Sequence, residues 1–312
     1  MQTILGSGGS VGIELAKALK TYTSEIRLVA RNPKKVNETD ELFKADLTNP
    51  EEVDKAIEGS EIVYLTIGFA YDRKLWKKVW VPLIKAVIKG CQKHKAKLVF
   101  FDNIYMYDRD HLHNMTEETP IRPTSVKGDI RAEVAQLIMK EVDNKTLTAM
   151  IARAADFLGP KNSVPIETIY NNFKKGKPAD LIAAANKIHN FTWVPDAGKA
   201  TAILGNTPDA YNQVWHLPSI NEKLIAKQWV ELFAAEMNVK PNFRVLPIWM
   251  MGILGIFVPI MKELKEMAYQ NDRDYYFNSS KFEKRFGYKP IGAKVAVKEI
   301  VHQLESQSRN GV

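Results

Sequence analysis

The stretch GSGGSVG at residues 6–12 places glycines at 6, 9 and 12, with only five residues ahead of it. QTIL at 2–5 reads as a short strand. VGIELAKALKT at 11–21 has apolar residues at helical spacing, so the loop joins a strand to a helix. Such a turn lets phosphate oxygens approach backbone N–H groups at a helix N-terminus. A side chain at Gly6, Gly9 or Gly12 would obstruct the turn, the pyrophosphate or the helix–strand packing. The whole loop, Gly6, Ser7, Gly8, Gly9, Ser10, Val11 and Gly12, therefore reads as the phosphate cradle of a dinucleotide.

The second strand, IRLVA at 26–30, selects the cofactor. An acidic residue after it would bind the adenosine ribose hydroxyls and favour NAD. Here Arg31-Asn32-Pro33 follows, with Lys34 and Lys35 next. A guanidinium forks onto a 2′-phosphate, so Arg31 points to NADP(H), with NAD the weaker alternative. A plain surface arginine is the competing reading. Asp46 and Leu47 are expected to flank the adenine, and Thr66 and Gly68, closing EIVYLTIG at 61–68, to complete the cofactor side. Thr48 with Glu51 three residues on suggests a capping box.

Strands and helices alternate over about 155 residues, which predicts a Rossmann-type α/β fold, a doubly wound parallel sheet. Residues 1–160 form its domain, and 190–218 return to it. Residues 161–189 and 219–312 are expected to form a smaller, mostly helical C-terminal substrate lobe.

The bulk numbers set limits. The formal net charge of +8 invites an anionic partner, but the lysines lie in scattered pairs among acids, with no basic run interleaved with aromatics. This pattern argues against nucleic acid and for a small-molecule ligand. One cysteine, Cys91, permits no intrachain disulfide. That fits a reducing compartment, and with no signal-like N-terminus the expectation is a cytoplasmic monomer or homodimer. VLPIWMMGILGIFVPIM at 245–261 is nearly all apolar, yet short of the ~20 residues of a spanning helix. A buried helix or a lid (Trp249, Met250, Met251, Phe257, Met261) is expected rather than stable membrane insertion.

GSGGSVG resembles the GxxGxxG loop of the extended short-chain dehydrogenases/reductases, the NAD-dependent epimerase/dehydratase group. ADL at 45–47, YLTIG at 64–68, FFDNIYMY at 100–107, IARAADFLGP at 151–160, FTWVPD at 191–196 and SSKFEKRFGYKP at 279–290 extend the likeness in order along nearly the whole chain. The resemblance implies a Ser or Thr that polarises the substrate oxygen and, some 25 residues on, a Tyr-x-x-x-Lys pair. Here those positions fall on Asn103, Lys127 and Arg131, so the tyrosine is missing and the member is atypical.

Three accounts accommodate the loss. In the first, a rebuilt carbonyl/alcohol oxidoreductase uses Lys127 as general acid and Asn103 as hydrogen-bond donor, with Tyr105 or Tyr107 as alternative proton donors. In the second, the protein senses NADP(H) and regulates a partner without turnover. In the third, a membrane-associated reductase takes an apolar substrate. A sugar-nucleotide epimerase or dehydratase is a further alternative from the resemblance. Pocket candidates are Phe69 after the fourth strand, Asp156 and Phe157 after the sixth, and His189 and Trp193 near the re-entry strand. Arg153 and Asp156 read equally as an ion pair or as substrate ligands. His111 and His113 lack a third ligand at metal-site spacing and read as a solvated loop, so no metal is expected.

Overall fold

The computed structural model describes residues 1–161 and 163–309. Along the chain it runs β1 (Gln2–Leu5), α1 (Ser10–Leu19), β2 (Ile26–Ala30), β3 (Glu41–Lys44), α2 (Pro50–Ile57), β4 (Ile62–Leu65), α3 (Arg73–His94), β5 (Lys97–Asp102), α4 (Val126–Asp143) and β6 (Ala149–Arg153). Then come β7 (Phe157–Leu158), α5 (Asn171–Lys174), β8 (Ala179–Ile182), β9 (Thr192–Trp193), α6 (Val194–Gly205), β10 (Val214–His216), α7 (Ala226–Glu236) and β11 (Phe243–Leu246). The chain closes with α8 (Ile248–Phe257), α9 (Pro259–Met267), α10 (Ser280–Phe286) and α11 (Ala293–Arg309).

Two compact units emerge. The first comprises Met1–Met106, Pro123–Ala154 and Val194–Leu217. It contains a seven-stranded sheet in the order β10-β6-β5-β4-β1-β2-β3, with every pair parallel. β1, β4 and β6 are buried at every position, as strands covered on both faces must be. The order reverses at β1, whose neighbours are β2 and β4, and in open α/β sheets ligands bind at that switch point. Trp76, Trp80, Leu83, Ile84 and Val87 of α3 pack with Ile130, Val134 and Ile138 of α4 into one apolar cluster.

The second unit comprises Tyr107–Arg122, Ala155–Trp193 and Pro218–Val312. Two small parallel pairs, β7 with β9 and β8 with β11, accompany its helices. Its core joins Trp229 and Phe233 of α7 to Val297 and Ile300 of α11 and to Phe191 and Trp193. Residues 107–122, read with the first domain from sequence, group here instead.

Local expectations needed correction at four places. Asn49, not Thr48, caps α2: its side chain accepts from Glu51 N–H, and Pro50 takes the first helical position. Thr48 instead donates N–H and hydroxyl to Asp46 Oδ1. α4 starts at Val126, ahead of the apolar helical repeat of RAEVAQLIMKEV at 131–142 from which the sequence predicts a helix, because the Ser125 hydroxyl accepts the Gly128 N–H. β9 pairs with β7 and does not return to the main sheet; re-entry begins with α6. α8 is not a buried helix, since Trp249 is 65% and Ile253 52% exposed, although Met251 is fully buried. The Phe257 side chain lies outside the described residues.

Candidate active site and dinucleotide cradle

The glycines of the 6–12 loop have separable reasons. Gly6 has φ +97°, and a Cβ there would lie 2.5 Å from Ile67 Cα, so turn and neighbour both demand glycine. At Gly12 a Cβ would meet Gly6 O and Ser7 Cα at 2.9 Å, so α1 closes directly onto the loop. Gly8 has nothing within 4 Å, and at Gly9 a Cβ would sit 3.6 Å from Gly6 O, an ordinary contact. The protein itself would accept a side chain at both, so the space left there is room for a ligand. Gly9 is also the N-cap of α1, with no side-chain cap and no acid in the first turn. No side chain caps these first-turn N–H groups, as a pyrophosphate cradle requires.

Ser7 turns away from the cradle: it is buried, and its hydroxyl donates to Val29 O at 3.3 Å. Ser10 and Val11 begin α1. Arg31, just past β2, is exposed, as are Lys34 and Lys35. Asp46 has its carboxyl held below the usual range, chiefly by the Thr48 N–H and hydroxyl and to a smaller degree by the Arg31 charge. Leu47 is buried. Thr66 N–H donates to Leu5 O at 2.9 Å, and Gly68 faces open space.

A second group forms at the end of β5. Asp102, fully buried, accepts from Arg131 Nε at 2.7 Å on one oxygen and from Arg153 Nε at 3.1 Å on the other. The Arg131 guanidinium also donates to Phe101 O at 3.2 Å and lies against the rings of Trp80 and Phe100, at 4.3 and 4.8 Å from their centroids. Arg131 is thus a positioning residue that fixes α4 to β5. Arg153 pairs with Asp102, since β5 and β6 are in register with Asp102 opposite Arg153.

Lys127, in the first turn of α4, is fully buried, and its ammonium lies 4.4 Å from the Tyr71 ring centroid, a cation–π contact. Tyr71 meets Tyr105 edge-on at 6.4 Å, and Tyr105 stacks on Trp76 at 6.2 Å. Phe69 continues this aromatic wall edge-on to Trp80. Gly128 makes the approach possible: a Cβ there would lie 2.4 Å from Tyr105 O. Asn103 Oδ1 accepts the Tyr105 N–H at 3.1 Å, which fixes the amide orientation and turns its NH₂ the other way. Asn103, Tyr105 and Lys127 are therefore grouped with Arg131, and the sequence reading missed Tyr71, Asp102 and Gly128. Tyr107, the other tyrosine considered as proton donor, is buried in the second unit.

In the second unit His189 Nε2 lies 3.0 Å from Asp156 Oδ2, and its ring stacks on Tyr275 at 4.3 Å. His189 lines a small open cavity with Phe191, Trp229, Asp180 and Asn271. Trp193 is buried in the core instead, and Phe157 O accepts from Ser163. No group of three or more metal-binding side chains occurs among the described residues.

Comparison with known proteins fits this geometry. Residues 6–143 match the family described as NAD(P)H-binding. The 3beta-hydroxysteroid-dehydrogenase/decarboxylase isoform 2 of Arabidopsis thaliana is 22% identical over 278 residues, which is 80% of this chain and 49% of that protein. The chain thus spans about half the length of this relative. The fold is shared with dTDP-glucose 4,6-dehydratase of Bacillus anthracis, solved with NAD (TM-score 0.79, 15% identity, 99% of this chain and 97% of that one). It is shared equally with UDP-glucuronic acid 4-epimerase of Bacillus cereus, also solved with NAD (TM-score 0.78, 14% identity, 99% and 98%).

Proposed function

We propose that this chain, an NAD(P)-binding protein with the fold of the extended short-chain dehydrogenases/reductases, is an NADP(H)-dependent oxidoreductase of a carbonyl or alcohol carbon. The reading is carried by Lys127, a fully buried lysine held against Tyr71, at the position that the resemblance gives to the family's tyrosine. When bound, the nicotinamide supplies or accepts the hydride. Asn103 offers its amide NH₂ to the substrate oxygen, and Lys127, with Tyr105 beside it, holds the proton that this oxygen gains or loses. The aromatic wall of Phe69, Tyr71, Trp76 and Tyr105 keeps water from the ammonium. The preference for NADP(H) rests on exposed Arg31 with Lys34 and Lys35, and on the lack of an acid directly after β2.

A sensing protein without turnover is the competing reading. One observation favours it: Arg131, at the position of the family's lysine, is committed to Asp102 and the core. NADPH consumption with ketosteroids, prompted by the Arabidopsis relative, and with nucleotide sugars, prompted by the shared fold, separates the two. Turnover that falls about a hundredfold or more in Lys127→Met, with NADPH affinity kept, supports the oxidoreductase. Equal turnover in Lys127→Met removes the lysine from the chemistry.

A further inference from the structure

Among the described residues, eleven large hydrophobic side chains are exposed, and six of them lie between 239 and 260: Val239, Val245, Trp249, Ile253, Val258 and Ile260. Singly exposed apolar residues are ordinary; a concentration of this kind marks a docking surface. Trp249 and Ile253 are four residues apart on α8 and so share one face of the helix.

The exposed charges bordering the patch are cationic, the last acid of α9, Glu266, being half-buried. No acidic residue occurs between Glu236 and Glu263, and Glu263 itself is buried. Lys240, Lys262 and Lys265 are exposed. The two lysines of α9 lie along α8: a Cβ on Gly252 would sit 2.8 Å from Lys265 Nζ, and one on Gly255 would sit 2.8 Å from Lys262 Cγ. Since Gly252 is in the turn between Trp249 and Ile253, an ammonium edges the apolar face. Arg244 also belongs to this segment, though it is ion-paired with Asp180.

We propose that the α8–α9 hairpin docks the protein on an anionic lipid surface, with Trp249 and Ile253 entering the headgroup boundary and the lysines meeting lipid phosphates. Two observations favour lipid over protein, and a third sets how the hairpin meets it. Residues 245–261 carry no charge and only one hydrogen-bonding side chain, the Trp249 indole, whereas a protein interface needs roughly one hydrogen bond per 100–200 Å². A second copy would bring a like-charged rim against the first, on a chain of net charge +8. No described helix is long and apolar enough to cross a membrane, and the ten residues of α8 span only about 15 Å, so the hairpin lies on the surface.

The test is co-sedimentation of the full chain with vesicles of phosphatidylcholine alone and of phosphatidylcholine with phosphatidylserine in roughly a 2:1 ratio. The wild type partitions onto the anionic vesicles. Trp249→Ala with Ile253→Asp weakens this at least about tenfold, and Lys262→Glu with Lys265→Glu abolishes the preference for phosphatidylserine. Thermal midpoint and NADPH titration of each variant stay at the wild-type values, which excludes unfolding as the cause. The proposal is overturned by a wild type that ignores both vesicle types, by partitioning that survives the apolar variant, or by a wild-type dimer that this variant dissociates.

Discussion

The ammonium of Lys127 lies 4.4 Å from the centroid of the Tyr71 ring, and no part of the lysine is exposed. A buried cation is stabilised only by what faces it, and here the quadrupole of one aromatic ring does part of that. Replacing Tyr71 by Phe keeps the ring, and by Leu removes it. Tyr71→Leu is expected to be about 2 kcal/mol less stable than Tyr71→Phe in urea denaturation. Lys127→Met, which removes the charge and keeps the volume, is expected to be as stable as wild type or more so.

Asp102 holds two buried guanidiniums, those of Arg131 and Arg153. Asp102→Asn leaves both cations facing a neutral amide. The expected cost is about 3–5 kcal/mol, read as a fall in the urea midpoint, because uncompensated buried charge remains. Arg131→Lys does not rescue the arrangement, since an ammonium cannot reach both Asp102 and Phe101 O while stacking on Trp80 and Phe100.

Gly9 and Gly12 separate binding from folding. Gly12→Ala drives a methyl to 2.9 Å from Gly6 O and is expected to lower the thermal midpoint as well as cofactor affinity. Gly9→Ala makes only an ordinary contact. It is expected to melt like the wild type and bind NADPH at least about tenfold more weakly, because its methyl occupies the phosphate space. Unchanged affinity in Gly9→Ala would place the pyrophosphate elsewhere.

Much of this was legible in the sequence, for particular reasons. Buried strands announce themselves as apolar runs bounded by turn signals, so β1, β2, β4, β5 and β6 could be read from the sequence, whereas β3 is exposed at three of its four residues. The start of α4 was hidden, because TSVKGD has polar residues and a glycine where a helix shows apolar repeats, and only the Ser125 cap defines it. The sequence reading weighed Arg153 only with Asp156. Aligning the ends of the parallel strands, where Asp102 faces Arg153, would also have found its Asp102 partner. Tyr71 lies in a loop with no motif, and only tertiary packing brings it to Lys127. Exposure of Trp249 was equally hidden, since an apolar run reads the same whether it is covered or bare.

Cys91 supplies a pH-dependent test of the core. Burial pushes its thiol up to about 12. The unfolded thiol ionises near its ordinary value of about 8.5, so the folded state binds the extra proton above that point. Stability from this group is therefore intact below the ordinary thiol range and lost as pH rises toward about 12. The difference in stability between wild type and Cys91→Ala should shrink over that interval. The native thiol should also resist alkylation at neutral pH on the timescale over which the urea-unfolded chain reacts fully.

The most direct test is a fluorescence titration of the purified protein with NADPH and with NADH, run beside Arg31→Asp. The account predicts saturable binding with NADPH preferred, and a variant in which that preference collapses or passes to NADH. Failure of the wild type to bind either nucleotide, or an Arg31→Asp protein that keeps the same preference, would contradict it.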